Sequence, residues 1–190
     1  MLVREHGDEL TDDELVGVAS LLLLAGHETT SNMLGLGTLA LLRHPEQLDL
    51  VRDDPDAVGP AIEELLRWLS IVQSAIPRIT TTDVEVAGVT IPAGNLVFPS
   101  MPSGNRDADF IDSPELLDIR RGAPGHLAFG HGVHHCLGAP LARLEGRIAL
   151  GALHARFPTM RLAVDPARLR WSHGDGLVLR GLAELPVHLA

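Results

Sequence analysis

The sequence predicts a mainly α-helical fold with small β-sheets at its periphery. An unbroken helical pattern runs over 12–43, and shorter ones at 60–69 and 140–157 carry apolar residues on one face. Between them, alternation of period two over 83–98 is typical of a small β-hairpin. Apolar residues make up 45% of the 190-residue chain, enough for a real core in one domain or a large part of one.

The long helix has clear start and stop signals. Thr11-Asp12-Asp13-Glu14 has the pattern of a capping box, and Pro45 ends the helix because the residue before a proline disfavours helical backbone. From Val16 to Ala25 the helix is apolar on nearly every face. A helix that is apolar all round is normally buried all round, so we expect it at the centre of the fold.

The remaining elements are shorter. Val84 and Val86 alternate with acidic residues before a turn at Ala87-Gly88, which places a β-hairpin within 83–98. Residues 99–125 are rich in Pro, Gly and Asp and predict a long ordered loop, a feature that is often functional. The weak alternation from Gly176 to Leu189 suggests another short hairpin.

Composition argues against several classes of protein. A net charge of −10 disfavours nucleic acid as a partner, because the phosphate backbone would repel the chain. The longest apolar run, Val16 to Ala25, is about half of the roughly 20 residues that a membrane span needs. The charged N-terminus lacks an apolar signal core, and one cysteine cannot form an internal disulfide. These features predict a cytoplasmic protein that does not enter membranes.

The single cysteine lies in the most unusual segment, Phe129 to Gly138, which contains three glycines and three histidines. The glycines permit tight turns and close approach of another body. Cys136 just precedes a predicted helix, whose unpaired N–H groups and dipole stabilise a thiolate. Such a cysteine is a metal ligand or a nucleophile, while a buried structural cysteine and a zinc site with the neighbouring histidines are alternatives. Spacing alone does not decide between a role for Cys136 in metal-type chemistry and a purely structural role.

This segment resembles the heme-binding loop of the cytochrome P-450 family, F-x-x-G-x-H-x-C-x-G. Phe129, Gly132, His134, Cys136 and Gly138 each occupy a motif position. The resemblance implies heme b (iron protoporphyrin IX) as cofactor and Cys136 as its axial ligand. It also implies that Phe129 stacks near the sulfur and that His134 donates a hydrogen bond to a heme propionate. A cysteine thiolate pushes electron density onto the iron and favours O–O cleavage.

A second segment, Ala25-Gly26-His27-Glu28-Thr29, places polar residues within the apolar helix. A buried carboxylate without a partner is costly. The alternative is that the helix becomes exposed at this point and the Thr29 hydroxyl bonds back to a carbonyl. The segment resembles the family's A-G-x-[DE]-T motif. By that resemblance Ala25 and Gly26 leave space over the heme, Thr29 hydrogen-bonds the bound dioxygen, and Glu28 feeds a proton relay.

A third segment contains Glu63, Glu64 and Arg67, which fall opposite the apolar face of their helix. On a helical wheel they form a solvated face with ordinary ion pairs. However, Glu64 and Arg67 match the family's E-x-x-R pair, which implies a buried brace beneath the heme-binding loop. The family often adds a third polar or basic partner, and the aligned residue in this chain is Leu116, so either the usual network is incomplete or a neighbour supplies the contact.

The resemblance runs from about Leu10 to the C-terminus and is to the soluble bacterial members of the family. Arg78 matches a basic residue that typically pairs with a heme propionate. Family members are considerably longer, and their N-terminal half has no counterpart in this chain. We therefore expect the C-terminal portion of the fold, as a fragment or a truncated product.

By resemblance, the protein is a heme-thiolate monooxygenase that inserts one oxygen atom of O2 into a small lipophilic substrate of secondary metabolism. Electrons are expected from a ferredoxin- or flavodoxin-type donor, because Gly35-Leu36-Gly37 lies within a helix and is no nicotinamide or flavin fingerprint. Substrate contacts are expected from Val72 to Ile76 and from Leu177 to Leu179. The alternative is a truncated heme-binding remnant without monooxygenase activity.

Overall fold

The computed structural model describes residues 10–172 and 178–189. Within them, five α-helices and eight short strands surround a single cluster of buried apolar residues. The helices are α1 (Asp12–Arg43), α2 (Pro45–Asp53), α3 (Val58–Leu69), α4 (Met101–Gly104) and α5 (Ala139–Arg156). The strands are β1 (Arg78–Ile79), β2 (Val84–Val86), β3 (Val89–Ile91), β4 (Leu96–Val97), β5 (Arg161–Leu162), β6 (Trp171–Ser172), β7 (Gly181–Leu182) and β8 (Val187–His188). The predicted mainly α-helical class with small sheets is confirmed.

Helix α1 begins at a reciprocal cap. The Thr11 side chain accepts a hydrogen bond from the Glu14 N–H at 3.3 Å, and the Glu14 carboxylate accepts one from the Thr11 N–H at 2.9 Å. The helix ends at Arg43, and Pro45 then occupies the first turn of α2. Both ends follow from local sequence, because a cap and a proline act within one helical turn.

The core lies where the second half of α1 packs against α3 and α5. Leu36 and Leu41 of α1, Leu65 of α3 and Leu150 of α5 are buried in it. Gly37 allows this close approach, because a Cβ atom at that position would lie 3.3 Å from Leu150 Cδ1 and 3.6 Å from Leu65 Cδ1. The core therefore fixes α3 and α5 relative to each other, and α5 directly follows the cysteine loop in sequence.

The first half of α1 is exposed, so the described residues do not enclose this all-round apolar stretch. Leu23 is 75% exposed, and its neighbours from Leu21 to Leu24 are all exposed. Burial in α1 begins only at Met33. The reason is that no described element packs over the stretch from Val16 to Ala25. No helix in the described ranges is long and apolar enough to cross a membrane.

The small sheets include the core of the first predicted hairpin, but the other strands pair differently from the prediction. Strands β2 and β3 do form a hairpin around Ala87-Gly88, but β4 leaves it and pairs with β1. At the C-terminus, β7 pairs with β6 and β8 pairs with β5, so the alternation in this region does not mark one hairpin. Part of that segment, including Gly176 and Leu177, lies outside the described residues. Alternation predicts extended backbone but carries no information about the partner strand.

The long connection between β4 and the cysteine loop contains more regular structure than its composition predicts. Helix α4 is capped by Ser100, whose side chain accepts from the Ser103 N–H at 3.3 Å. A 3-10 turn at Ile119–Arg121 is capped by the Asp118 side chain. This connection carries Asn105, which is buried and links two parts of the candidate site.

Candidate functional site

The cysteine loop is closed by its own backbone. The Cys136 N–H donates to the Phe129 carbonyl at 2.9 Å, and the His135 N–H donates to the Gly132 carbonyl at 3.0 Å. Gly130 and Gly132 adopt φ values of 73° and 80°, in the left-handed region that favours glycine. The glycine spacing of the motif therefore builds a tight turn that ends three residues before α5.

The loop presents Cys136 outward. The thiol is free and exposed, and the adjacent apolar side chains of Val133 and Leu137 are 98% and 86% exposed. Single exposed apolar residues are common, but two in the same short loop as an exposed thiol give that loop an apolar outer surface. This surface suits a flat apolar group that bonds to the sulfur.

The histidines near Cys136 do not complete a metal site. In the described part of the chain, no group of three or more His, Cys, Asp or Glu residues is arranged to hold a metal ion. The zinc alternative needs about four protein ligands and is therefore unsupported. A metal bound through this one sulfur would need ligands beyond these side chains, and heme iron has such ligands in its porphyrin nitrogens. The donor set of the loop fits a heme.

The Ala25–Thr29 segment lies on the exposed half of α1. Ala25, Gly26 and Glu28 are exposed, and a Cβ atom at Gly26 would have no atom within 4 Å outside its own helix. The Thr29 hydroxyl donates to the Ala25 carbonyl at 2.6 Å. The structure thus shows the back-bonded hydroxyl that the residues themselves suggested, on a helix face that the described residues leave open. No recorded hydrogen bond in the described ranges joins this segment to the cysteine loop.

Glu64 and Arg67 form a buried bidentate ion pair. The Arg67 Nε and Nη2 atoms lie 2.8 Å from the two carboxylate oxygens of Glu64, and the side chains are 1% and 0% exposed. The interpretation of these residues as a solvated helix face is wrong. The buried E-x-x-R pair expected from the resemblance matches this geometry.

Three backbone carbonyls complete the surroundings of Arg67. Nη1 donates to Asn105 O at 3.0 Å and to Pro114 O at 2.8 Å, and Nη2 donates to Leu116 O at 3.2 Å. Every N–H group of the guanidinium therefore has an acceptor, which is the condition for burying an arginine at tolerable cost. Because these carbonyls belong to the long connection, Arg67 ties that connection to α3.

Arg121 supplies the third side-chain partner that Leu116 cannot. Its Nε atom lies 3.4 Å from Glu64 Oε1, and the Asp118 N–H donates to the same oxygen at 3.1 Å. Leu116 contributes only its backbone carbonyl. Sequence reasoning missed Arg121 because the register of an irregular loop cannot be counted from one motif position.

Asn105 links the Glu64–Arg67 pair to the cysteine loop. Its carbonyl accepts from Arg67, its Nδ2 donates to Ser70 Oγ at 3.0 Å, and its Oδ1 accepts from the Leu127 N–H at 2.7 Å. Leu127 lies two residues before Phe129. The buried Asn105 therefore hydrogen-bonds both to α3 and its C-cap and to the backbone just before the loop, and so fixes the start of the loop relative to α3.

A second carboxylate, Glu63, reaches the loop from another side. Arg143 of α5 binds it with Nε at 2.8 Å from Oε1 and Nη2 at 2.9 Å from Oε2. His126 Nε2 lies 3.1 Å from Oε2. Partial burial raises the pKa of Glu63, but the hydrogen bonds from His126 and Arg143 and the charge of Arg143 outweigh it and lower the pKa to about 2. Nothing in the linear sequence pairs these residues, since Arg143 lies 80 positions from Glu63.

Arg78 lies apart from these contacts. It is exposed in β1 and pairs with Val97 through the backbone. In residues 10–172 and 178–189, its side chain has no recorded hydrogen bond or ion pair. The structure therefore leaves the guanidinium free to meet an anionic group but does not bring it to the loop.

The fold and the cysteine loop define a protein of the heme-thiolate class, and comparison with known proteins identifies the family. The sequence model of cytochrome P450 matches residues 1–165, so the chain belongs to the cytochrome P450 family. The family prediction, with its bacterial type and C-terminal portion, is confirmed.

Relatives and solved structures agree with this assignment. The chain is 51% identical to cytochrome P450 FAS1 of Rhodococcoides fascians and 50% identical to vitamin D(3) 25-hydroxylase of Pseudonocardia autotrophica, over 97% and 96% of its length. It superimposes with a TM-score of 0.91 on the bacillaene polyketide synthase cytochrome P450 PksS of Bacillus subtilis 168, with 44% identity and 98% coverage. It spans 46%, 45% and 47% of those three chains, about half of each.

Proposed function

We propose that this chain provides the cysteine ligand and the supporting framework of a heme-thiolate monooxygenase. The enzyme would insert one oxygen atom of O2 into a small lipophilic substrate, with electrons from a ferredoxin- or flavodoxin-type donor. The observation that carries this proposal is the free, exposed thiol of Cys136 on a backbone-closed loop that two ion pairs support. The names of two relatives, a vitamin D(3) hydroxylase and a polyketide synthase cytochrome, support a lipophilic substrate of secondary metabolism.

Heme b is the proposed cofactor, and bound heme supplies an iron that activates O2. Cys136 would hold the iron through Sγ, with Phe129 and Gly138 beside the sulfur. A Cβ atom at Gly138 would lie 3.8 Å from Cys136 Sγ, so position 138 borders the sulfur. Glycine at this position adds no side-chain bulk beside the ligand atom. The exposed His134 and Arg78 would donate N–H hydrogen bonds to the propionates.

Ala25 and Gly26 would leave room for the distal face, since neither carries more than a methyl group. Glu28 would exchange protons with solvent through its exposed carboxylate. Thr29 Oγ1 already donates to the Ala25 carbonyl, so its lone pairs can accept a hydrogen bond from a water or a protonated group. Together these two side chains would hold and pass protons at the distal face, which is general acid catalysis by positioned groups.

The ligand assignment is tested by titrating the chain with hemin, reducing it and adding carbon monoxide. We expect weak binding, because Val16 to Leu24 are exposed and offer no enclosed pocket. The bound fraction should nevertheless show a thiolate-type Soret band. Cys136→Ala should abolish that band, and the control His135→Ala, which alters an exposed neighbour at an unspecified position of the motif, should retain it. A band that survives in Cys136→Ala, or none in the unaltered chain at any hemin excess, would contradict the proposal.

A second candidate is a heme-binding chain without monooxygenase activity. The exposure of the Ala25–Thr29 segment favours it, because proton delivery to O2 requires a site from which bulk water is excluded. Substrate-dependent O2 consumption with a ferredoxin and its reductase separates the two candidates. Coupled consumption that Thr29→Ala reduces supports the monooxygenase, whereas thiolate-bound heme without consumption supports the binding chain.

A further inference from the structure

Glu63 and Arg143 connect α3 to α5 through a bidentate ion pair at the side of the cysteine loop. The two side chains are 20% and 31% exposed. Parallel N–H···O bonds from one guanidinium fix both distance and plane, and partial burial protects them from solvent screening. The pair therefore holds the N-terminal part of α5 at a set orientation to α3.

His126 adds a third member from the loop side. Its Nδ1 accepts from the Ala128 N–H at 3.1 Å, so in the neutral ring the proton resides on Nε2, which donates to Glu63 Oε2 at 3.1 Å. The His126 side chain is buried. The backbone at Ala128 thus sets the tautomer that binds the carboxylate.

Phe129 is the residue on which this unit acts. The Arg143 guanidinium carbon lies 4.6 Å from the centre of the Phe129 ring, and the His126 ring centre lies 5.8 Å from it. A guanidinium over an aromatic face is an attractive cation–π contact. The carbonyl of the same Phe129 accepts the Cys136 N–H at 2.9 Å. A displacement of the ring would therefore reach Cys136 through one residue and one hydrogen bond.

We propose that Glu63, with Arg143 and His126, is a positioning unit for the cysteine loop that acts separately from the Glu64–Arg67 pair. Glu63 fixes the Phe129 ring through side-chain contacts, while Glu64 and Arg67 fix the loop's start through Asn105 and Leu127. Glu63 is thus a positioning residue for Cys136. The effect of this positioning on heme binding rests on the proposed function, whereas the positioning of Cys136 itself does not.

Amide hydrogen exchange of the Cys136 N–H tests the proposal without heme. In Glu63→Gln, the charge and one half of the bidentate bond are lost, and we expect exchange of the Cys136 amide to accelerate about tenfold. Amides of Leu39 and Leu41 in the core of α1 should exchange at unchanged rates. The control Glu184→Gln breaks an exposed ion pair with Arg170 and should change neither set.

A second variant and a second probe guard against a folding defect. Arg143→Lys keeps the charge but loses the planar fork, so it should accelerate Cys136 exchange by a smaller factor than Arg143→Gln. Because Cys136 is the only cysteine, its alkylation rate by iodoacetamide reports the same loop in the unlabelled chain. The double variant Glu63→Gln/Arg143→Gln should match the larger single effect, since both residues belong to one unit.

Three outcomes would overturn the proposal. They are unchanged Cys136 exchange in Glu63→Gln, equal acceleration at Leu39 and Cys136, and fully additive effects in the double variant. Hemin titration then separates the two proposals. If the unaltered chain shows no thiolate-type band while Glu63→Gln still loosens the loop, the ligand role fails and the positioning role stands. If the band is present and Glu63→Gln weakens or shifts it, both are supported.

Discussion

The side chain of Arg67 reaches the Glu64 carboxylate with two N–H···O bonds of 2.8 Å, and water has almost no access to either residue. The remaining donors of Arg67 go to carbonyls of the long connection. This buried pair therefore joins α3 to the long connection between β4 and the cysteine loop. Its removal has a specific energetic consequence.

Arg67→Gln should lower the free energy of unfolding by about 3 to 5 kcal/mol, because it leaves the Glu64 charge buried and several carbonyls unpaired. Urea denaturation followed by circular dichroism measures this loss. Arg170→Gln, which breaks an exposed pair with Glu184, is the control and should cost less than about 1 kcal/mol. Equal losses in the two variants would show that the Glu64–Arg67 pair is not a structural brace.

His154 predicts a pH dependence of stability. Its ring is buried in α5 without a recorded hydrogen-bond partner within the described ranges, and burial, with the nearby charge of Arg52, lowers its pKa to about 4. The folded state thus keeps the ring neutral while the unfolded chain takes up a proton below a pKa of about 6.5. The His154 contribution is constant above that pH and is lost as the pH falls from about 6.5 to 4.

His154→Leu should remove this dependence. Each pKa unit corresponds to about 1.4 kcal/mol, so the difference between the unaltered and variant chains should change by about 2 to 3 kcal/mol over that pH range. Urea unfolding at several pH values measures it, with the exposed His27→Gln as control. Parallel stability curves for the unaltered chain and His154→Leu would refute the assignment.

Gly181 predicts a packing constraint on α1. A Cβ atom at this position would lie 1.9 Å from Asn32 Oδ1, which is far inside contact distance. The Asn32 side chain also donates to the Glu28 carbonyl at 2.8 Å, and Asn32 lies about one helical turn after Thr29. Gly181→Ala should therefore displace the Asn32 side chain and cost about 1 to 3 kcal/mol by overpacking.

A double-mutant cycle separates this overpacking from a local effect at Gly181. Asn32→Ala removes the nearest clashing atoms and leaves Ser172 Oγ at 2.8 Å, so Gly181→Ala should cost less in that background, and the two changes should be strongly coupled. Additive costs would mean that Asn32 is not the group that restricts position 181.

The exposed half of α1 predicts a difference between two leucines of one helix. Leu23→Gln should change the unfolding free energy by less than about 0.5 kcal/mol and should reduce self-association in sedimentation velocity, because Leu23 projects into solvent. Leu36→Ala, in the buried half, should cost about 2 to 5 kcal/mol. A comparable cost for both would indicate that residues 16–25 are covered.

Much of the site was predictable where it rests on local or motif-encoded features. The glycine spacing around Cys136 predicted the turn, and the E-x-x-R resemblance identified Glu64 and Arg67. The helical wheel misassigned the same pair, because a wheel shows only the periodicity within one helix. It cannot show that a distant segment of the chain packs over that face. The carbonyls that bury Arg67 lie 38 to 49 positions along the chain.

The sequence by itself determined the features that act within one or two turns of backbone. These are the Thr11 cap, the end of α1 before Pro45, and the tight loop that carries Cys136. Only the tertiary structure decided the strand partners, the exposure of the first half of α1, and the joining of Glu63 to Arg143 and His126. Such contacts depend on which distant surfaces meet in the core, and that information is spread over the whole chain rather than held in any local pattern.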